Sequence, residues 1–173
     1  MPVADQPSLA DKEVHVSAPK KPPALDAATQ RSLGAGLYNR TWELLEVEQR
    51  TPEQDDEMVD TAHASAYHWL AVGHAGNRAR SHWLLSRVCA VLGRGESSLH
   101  HARRAIAVLE DGGEGIEDWD YPAAAEAMAR ACTVAGDLAE AAEWKARATD
   151  AVQKIAGEED RKLIESDLAT LRV

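Results

Sequence analysis

Phenylalanine is absent from this sequence, and only two cysteines, Cys89 and Cys132, occur in its 173 residues. Two cysteines make no disulfide framework, so the fold has to rest on a packed core. Long apolar runs are missing too: none approaches the ~18 residues that a membrane span needs. The N-terminus carries no apolar segment of the signal-peptide kind, so a reduced, cytoplasmic setting is expected. Positive charge is scarce, with 19 Lys and Arg against 29 Asp and Glu, a net charge of -10. A nucleic-acid binder needs a basic footprint to displace counterions, so no nucleic-acid partner is expected, and no anionic membrane surface either. Alternating Val, Ile, Thr and aromatic residues, the mark of a half-buried strand, are not evident. Nor is there a Gly-rich phosphate loop, a GxSxG elbow or a clustered metal-ligand motif, and no cofactor is expected.

What remains is rich in alanine, the best helix former. Hydrophobic residues make up 45 % and charged ones 28 %, ordinary values for a globular chain, and five tryptophans have to supply much of the aromatic packing. Residues 1–25 mix Pro, Lys, Asp and Ser without a helical period and read as a disordered tail. Residues 26–173 read as one all-α domain of about seven helices, near 27–49, 52–73, 77–92, 96–110, 122–135, 137–156 and 158–170. "TPEQ" at 51–54 is a helix start: Thr51 caps, Pro52 suits the first helical position and Gln54 completes a capping box. Asp137 and Glu140 repeat that device. Short connections make the helices antiparallel neighbours.

Two stretches of the chain align. "ARSHWLLSRVCAVLGRGESSLHHARRAIAVLE" spans 79–110 and "PAAAEAMARACTVAGDLAEAAEWKARATDAVQ" spans 122–153. With Gly93 set on Gly136, Arg87 falls on Arg130, Cys89 on Cys132, Val91 on Val134 and Ala105 on Ala148. Each is helix, glycine turn, helix, a hairpin repeat of a length that stacks into solenoids. The turn glycines, the small residues just after them (Ser98, Ala141) and those further on (Ala105, Ala148) resemble the tetratricopeptide repeat. Ser86 and Ala129 occupy its mid-helix small position. The closing proline of that pattern is missing, and "DGGEGIEDWDY" stands between the units as an insertion. The chain is also similar to small bacterial proteins of this kind with an "AHAS..HW" segment, from which no activity carries over. The resemblance implies antiparallel hairpins stacked as a short right-handed solenoid, whose concave face is lined by the first helix of each repeat.

At about 100° per residue, Arg80, Trp83, Arg87 and Ala90 share one face of the third helix. Ala123, Glu126, Arg130 and Thr133 are their counterparts on the fifth. Guanidinium forks recognise carboxylates, and an indole can stack on a ligand or a guanidinium. The expectation is a binding module whose groove, formed by Arg80, Trp83, Arg87, Glu126, Arg130 and His68, takes an acidic peptide or a carboxylate-bearing ligand. The plainer alternative is an ion-pair network with Arg87 on Glu126. Another is a small enzyme or metabolite sensor, with His68 as acid–base beside Glu126 and the arginines. Self-association is the third reading.

"AHASAYHW", residues 62–69, concentrates polar aromatic residues. On a helix, His63 and His68 diverge by about 140°, which argues against a zinc pair. Met58, Ala62, Ala66 and Trp69 share the side expected to face the core. His68 lies on a flank, expected to look into the seam with the third helix and meet Arg80, Trp83 or Arg87. "HHARR" at 100–104 reads as cations suiting a helix C-terminal half.

Overall fold

The computed structural model describes residues 24–172. The expected tail therefore lies, up to residue 23, outside the described residues. Seven helices are found among the described residues: α1 (Ala27–Leu45), α2 (Pro52–Val72), α3 (Ala75–Val91), α4 (Gly95–Asp111), α5 (Asp120–Ala135), α6 (Leu138–Val152) and α7 (Glu158–Ala169). None is long and apolar enough to cross a membrane.

The helix starts follow the local chemistry. The Gln54 N–H donates to Thr51 Oγ1 (3.3 Å), and the Thr51 N–H donates to Gln54 Oε1 (2.9 Å), so the capping box is complete. Asp137 caps α6 by accepting the Glu140 N–H at 3.0 Å. Asp26 does the same for α1, accepting the Thr29 N–H at 2.9 Å. Two helices stop earlier than their spacing suggests. Past α1, Arg50 donates to the Val47 carbonyl (3.2 Å) and pairs with Asp55 of α2 (2.6 Å), which turns the chain. Past α6, Ile155 swings inward and is buried.

Gly93 and Gly136 both take positive φ, +69° and +87°. After each, the chain reverses with the same bond: the Arg94 N–H reaches the Cys89 carbonyl (2.8 Å) and the Asp137 N–H the Cys132 carbonyl (2.9 Å). Such a bond closes a helix whose end glycine is left-handed. The two turns are thus equivalent, as the alignment of the hairpins suggests.

Helices pack in hairpins, α1 on α2, α3 on α4 and α5 on α6, and the hairpins stack through α2–α3, α3–α5 and α4–α5. The architecture is all-α, with antiparallel hairpins in a short solenoid and α7 laid against α5 and α6. Small residues allow the close approaches: Ser86, Ser98, Ala105, Ala129, Ala141 and Ala148 are all buried. Ser86 and Ser98 exchange hydrogen bonds to each other's carbonyls at 3.0 and 2.9 Å. In the next hairpin Ala129 and Ala141 take their place without any polar group. Cys89 and Cys132 are buried free thiols.

The insertion between the repeats is not a loose loop. The Gly76 N–H donates to the Glu114 carbonyl at 3.2 Å. A Cβ on Gly76 would stand 1.9 Å from the Gly115 oxygen. Only glycine lets the insertion dock on the start of α3, and docking carries Trp119 to the concave side.

Candidate functional site

The concave face is built from α1, α3, the start of α5, and α7. Five of the six residues expected there come together, and their partners are specific. Arg80 of α3 makes a two-pronged ion pair with Asp120 at the start of α5, Nε–Oδ1 and Nη2–Oδ2 both at 2.8 Å. Arg87, two turns on, donates to Glu126 Oε1 of α5 (3.2 Å) and to Asp167 of α7. Arg130 donates to the same Glu126 oxygen through Nε (2.7 Å) and Nη2, and also to the Thr170 hydroxyl (2.7 Å) and the Asp167 carbonyl (3.1 Å). Two guanidiniums thus face two carboxylates, and Arg80 has its own. The ion-pair network expected as the plainer alternative is present, and it extends to α7.

Glu126 is the centre of this network and is 1 % exposed. Burial raises its carboxyl above the usual carboxylate range, opposed by Arg130 and Arg87. Its Oε2 is buried without a hydrogen-bond partner among the described residues, as is Trp83 Nε1.

Trp83 is 5 % exposed and is the floor of the groove rather than an outward stacking surface. Trp42 of α1 lies against it at 5.4 Å between ring centroids, and Trp119 meets it edge-on at 6.2 Å. Tyr38 adds an edge contact to Trp42 at 6.4 Å. Arg80 stacks over Trp119, its Cζ 4.4 Å from the ring centroid, and Arg87 lies 5.9 Å from that of Trp42. Between these groups is a cavity of about 300 Å³ whose walls include Leu163 and Asp167 of α7. A second cavity of about 290 Å³ adjoins it, sharing Tyr38 and Trp119 and reaching Trp69. Leu163 stands at the rim, 54 % exposed.

His68 does not belong to this site. Its flank of α2 faces α1, not α3, and His68 Nδ1 lies 2.5 Å from Gln30 Oε1. The same flank carries Thr61, bonded to Thr41 (3.0 Å), and Ser65, which donates to the Gly34 carbonyl (2.7 Å). A run of small polar residues is what lets α1 approach this side of α2. The expected meeting of His68 with Arg80, Trp83 or Arg87 is therefore overturned. Trp69 is only partly buried; it wedges against Gly34, where a Cβ would be 2.9 Å from the indole.

Tyr38, Trp42, Trp119, Leu163 and Asp167 were not singled out by sequence reasoning. Tyr38 and Trp42 carry a signal in hindsight, since aromatics four apart share a helix face. Trp119 sits in the insertion, and Asp167 meets Arg87 only through the tertiary fold. No family model matches the chain, and neither a curated protein nor a solved structure does.

Proposed function

We propose that this chain is a non-catalytic binding module that seats a large apolar side chain of a partner segment in the concave groove. The observation that carries the reading is the aromatic wall of Tyr38, Trp42 and Trp119 over Trp83, open to solvent beside the exposed Leu163. Aromatic and aliphatic side chains clustered in a concave site are what anchors a protein segment. An acidic residue next to that anchor has one point of entry. Asp167 already occupies Arg87 from the cavity wall, whereas Glu126 is buried beneath. A partner carboxylate engages Arg87 by taking the place of Asp167. The reading is thus a groove for an acidic peptide with an apolar anchor.

Selection from a displayed library of random twelve-residue peptides tests this. Wild-type protein should enrich peptides with a large apolar residue beside Asp or Glu. Leu163→Glu at the rim should weaken them by about tenfold, an anchor-sized loss. Asp167→Asn should tighten the acidic ones. Peptides that bind wild type and Leu163→Glu alike would sink the groove, and an unchanged affinity in Asp167→Asn would sink the carboxylate exchange.

A further inference from the structure

The opposite face of α3 lines a second crevice. Arg78, His82 and Leu85 point about half a turn away from Arg80, Trp83 and Arg87. They form the floor of a crevice of about 420 Å³ between α2 and α4. His63 enters from α2, and His101 and Arg104 from α4. The rings of His82 and His101 stack at 27° with centroids 5.6 Å apart and their Nδ1 atoms 3.3 Å apart. His63 meets the edge of His101 at 5.8 Å, and His100 lies 5.1 Å from it on α4.

The charge balance here is the reverse of the concave face. There each arginine has a carboxylate. Here no carboxylate lines the crevice, and among the described residues none pairs with Arg78 or Arg104. Among the described residues Arg78 donates only to the Gly73 carbonyl, at 3.1 Å. Two guanidiniums and three imidazoles share one hollow in a chain of net charge -10. Its lips are apolar: Tyr67 and Leu70 are exposed on α2, and Val108 faces them from α4. The histidine rings do not make a ligand set of three for a metal ion among the described residues.

We propose that this crevice binds a small organic acid, its carboxylate held by Arg104 and Arg78 beside His82 and His101, its apolar body along Tyr67, Leu70 and Val108. The volume suits a ligand of metabolite size. Binding is coupled to protons. Burial, with Arg104 and His100 nearby, holds His82 down to about 4, and burial with His82, His100 and His63 nearby does the same for His101. An anion beside the rings stabilises their protonated forms and raises both values. The acid therefore binds with proton uptake, and its affinity rises as pH falls. The charged and titratable groups facing the pair are His63 and Tyr67 from α2, Arg78 from α3, and His100 and Arg104 from α4.

Octanoate titrated into the full chain, followed by calorimetry and by histidine-ring NMR, tests the proposal. Octanoate should shift the His82 and His101 resonances and bind about tenfold more tightly at pH 5.5 than at pH 8. Arg104→Ala, at an exposed position, should weaken it about tenfold, and the His82→Gln/His101→Gln pair should remove the pH dependence. Leu163→Glu, on the other groove, should leave octanoate binding unchanged. Hexanol binding as tightly as octanoate would overturn the role of the charge. Inorganic phosphate binding as tightly as octanoate would overturn the role of the apolar lips. Zinc chloride binding at these rings where octanoate does not, or full affinity in Arg104→Ala, would overturn the site.

Discussion

Arg87 of α3 and Asp167 of α7 are 80 residues apart in the chain and form an ion pair on the wall of the concave groove. The pair has two unequal halves. Arg87 also bonds the buried Glu126, while Asp167 makes no second ion pair among the described residues. Arg87→Ala takes one partner from Glu126, which keeps Arg130, and leaves Asp167 without Arg87, so it should cost about 1–3 kcal/mol. Asp167→Asn should cost less than Arg87→Ala, because it leaves Arg87 still paired with Glu126. Urea unfolding of both variants measures the difference; equal losses would contradict this division. Charge reversal at Arg87 would set a third carboxylate against Glu126 and Asp167 and destabilise the fold, so it does not report cleanly on a ligand.

Gly76→Ala should destabilise, although glycine to alanine inside a helix is normally worth up to about 1 kcal/mol in stability. The new methyl would meet the Gly115 oxygen at 1.9 Å, so the insertion has to lift off α3. Trp119 would leave Trp83, and a changed tryptophan fluorescence spectrum should accompany a loss of about 2 kcal/mol or more. An unchanged melting curve would show that the insertion is not clamped there.

Ser86 and Ser98 answer each other's carbonyls inside the α3–α4 hairpin. Removing one hydroxyl leaves a buried group with one partner fewer, at about 1–3 kcal/mol. Removing both recreates the pair Ala129 and Ala141 of the next hairpin. Ser86→Ala/Ser98→Ala should thus be less damaging than the sum of the single variants in a double-mutant cycle. Strict additivity would mean that the two serines act independently.

The half-buried histidine pair makes stability depend on pH. His82 and His101 each sit at about 4 against an ordinary 6.5. Between those values the unfolded chain binds more protons than the folded one, so stability rises with pH across the window. Thermal melting should therefore show the full contribution above pH 7 and its progressive loss from about pH 6.5 down to 4. In His82→Gln/His101→Gln the slope of melting temperature against pH should flatten over that range. An equal slope in both proteins would place the dependence elsewhere.

The helices and their order are legible in the residues because their causes are local. Thr51, Pro52 and Gln54 act within one turn, and Gly93 and Gly136 end helices by their own backbone freedom. The small residues Ser98, Ala105, Ala141 and Ala148 mark where hairpins close, since only short side chains let helices approach. Periodicity also puts Arg80, Trp83 and Arg87 on one face of α3 and Glu126 and Arg130 on one face of α5, while their sharing one side is implied by the repeat resemblance.

What the residues alone leave open is which neighbour each face meets. His68 is on a flank of α2 by its spacing, but whether that flank meets α1 or α3 depends on hairpin packing, and it meets α1. The glycines of the insertion predict turns, yet its docking on Gly76 follows from α3 standing where it does. Asp167 and the His82–His101 pair have no local signature, because each needs a partner 80 or 19 residues away. Sequence by itself settled the local conformations, whose energies come from a few adjacent residues. The tertiary structure decided the pairing of charges and rings, since those interactions exist only once distant helices share a wall.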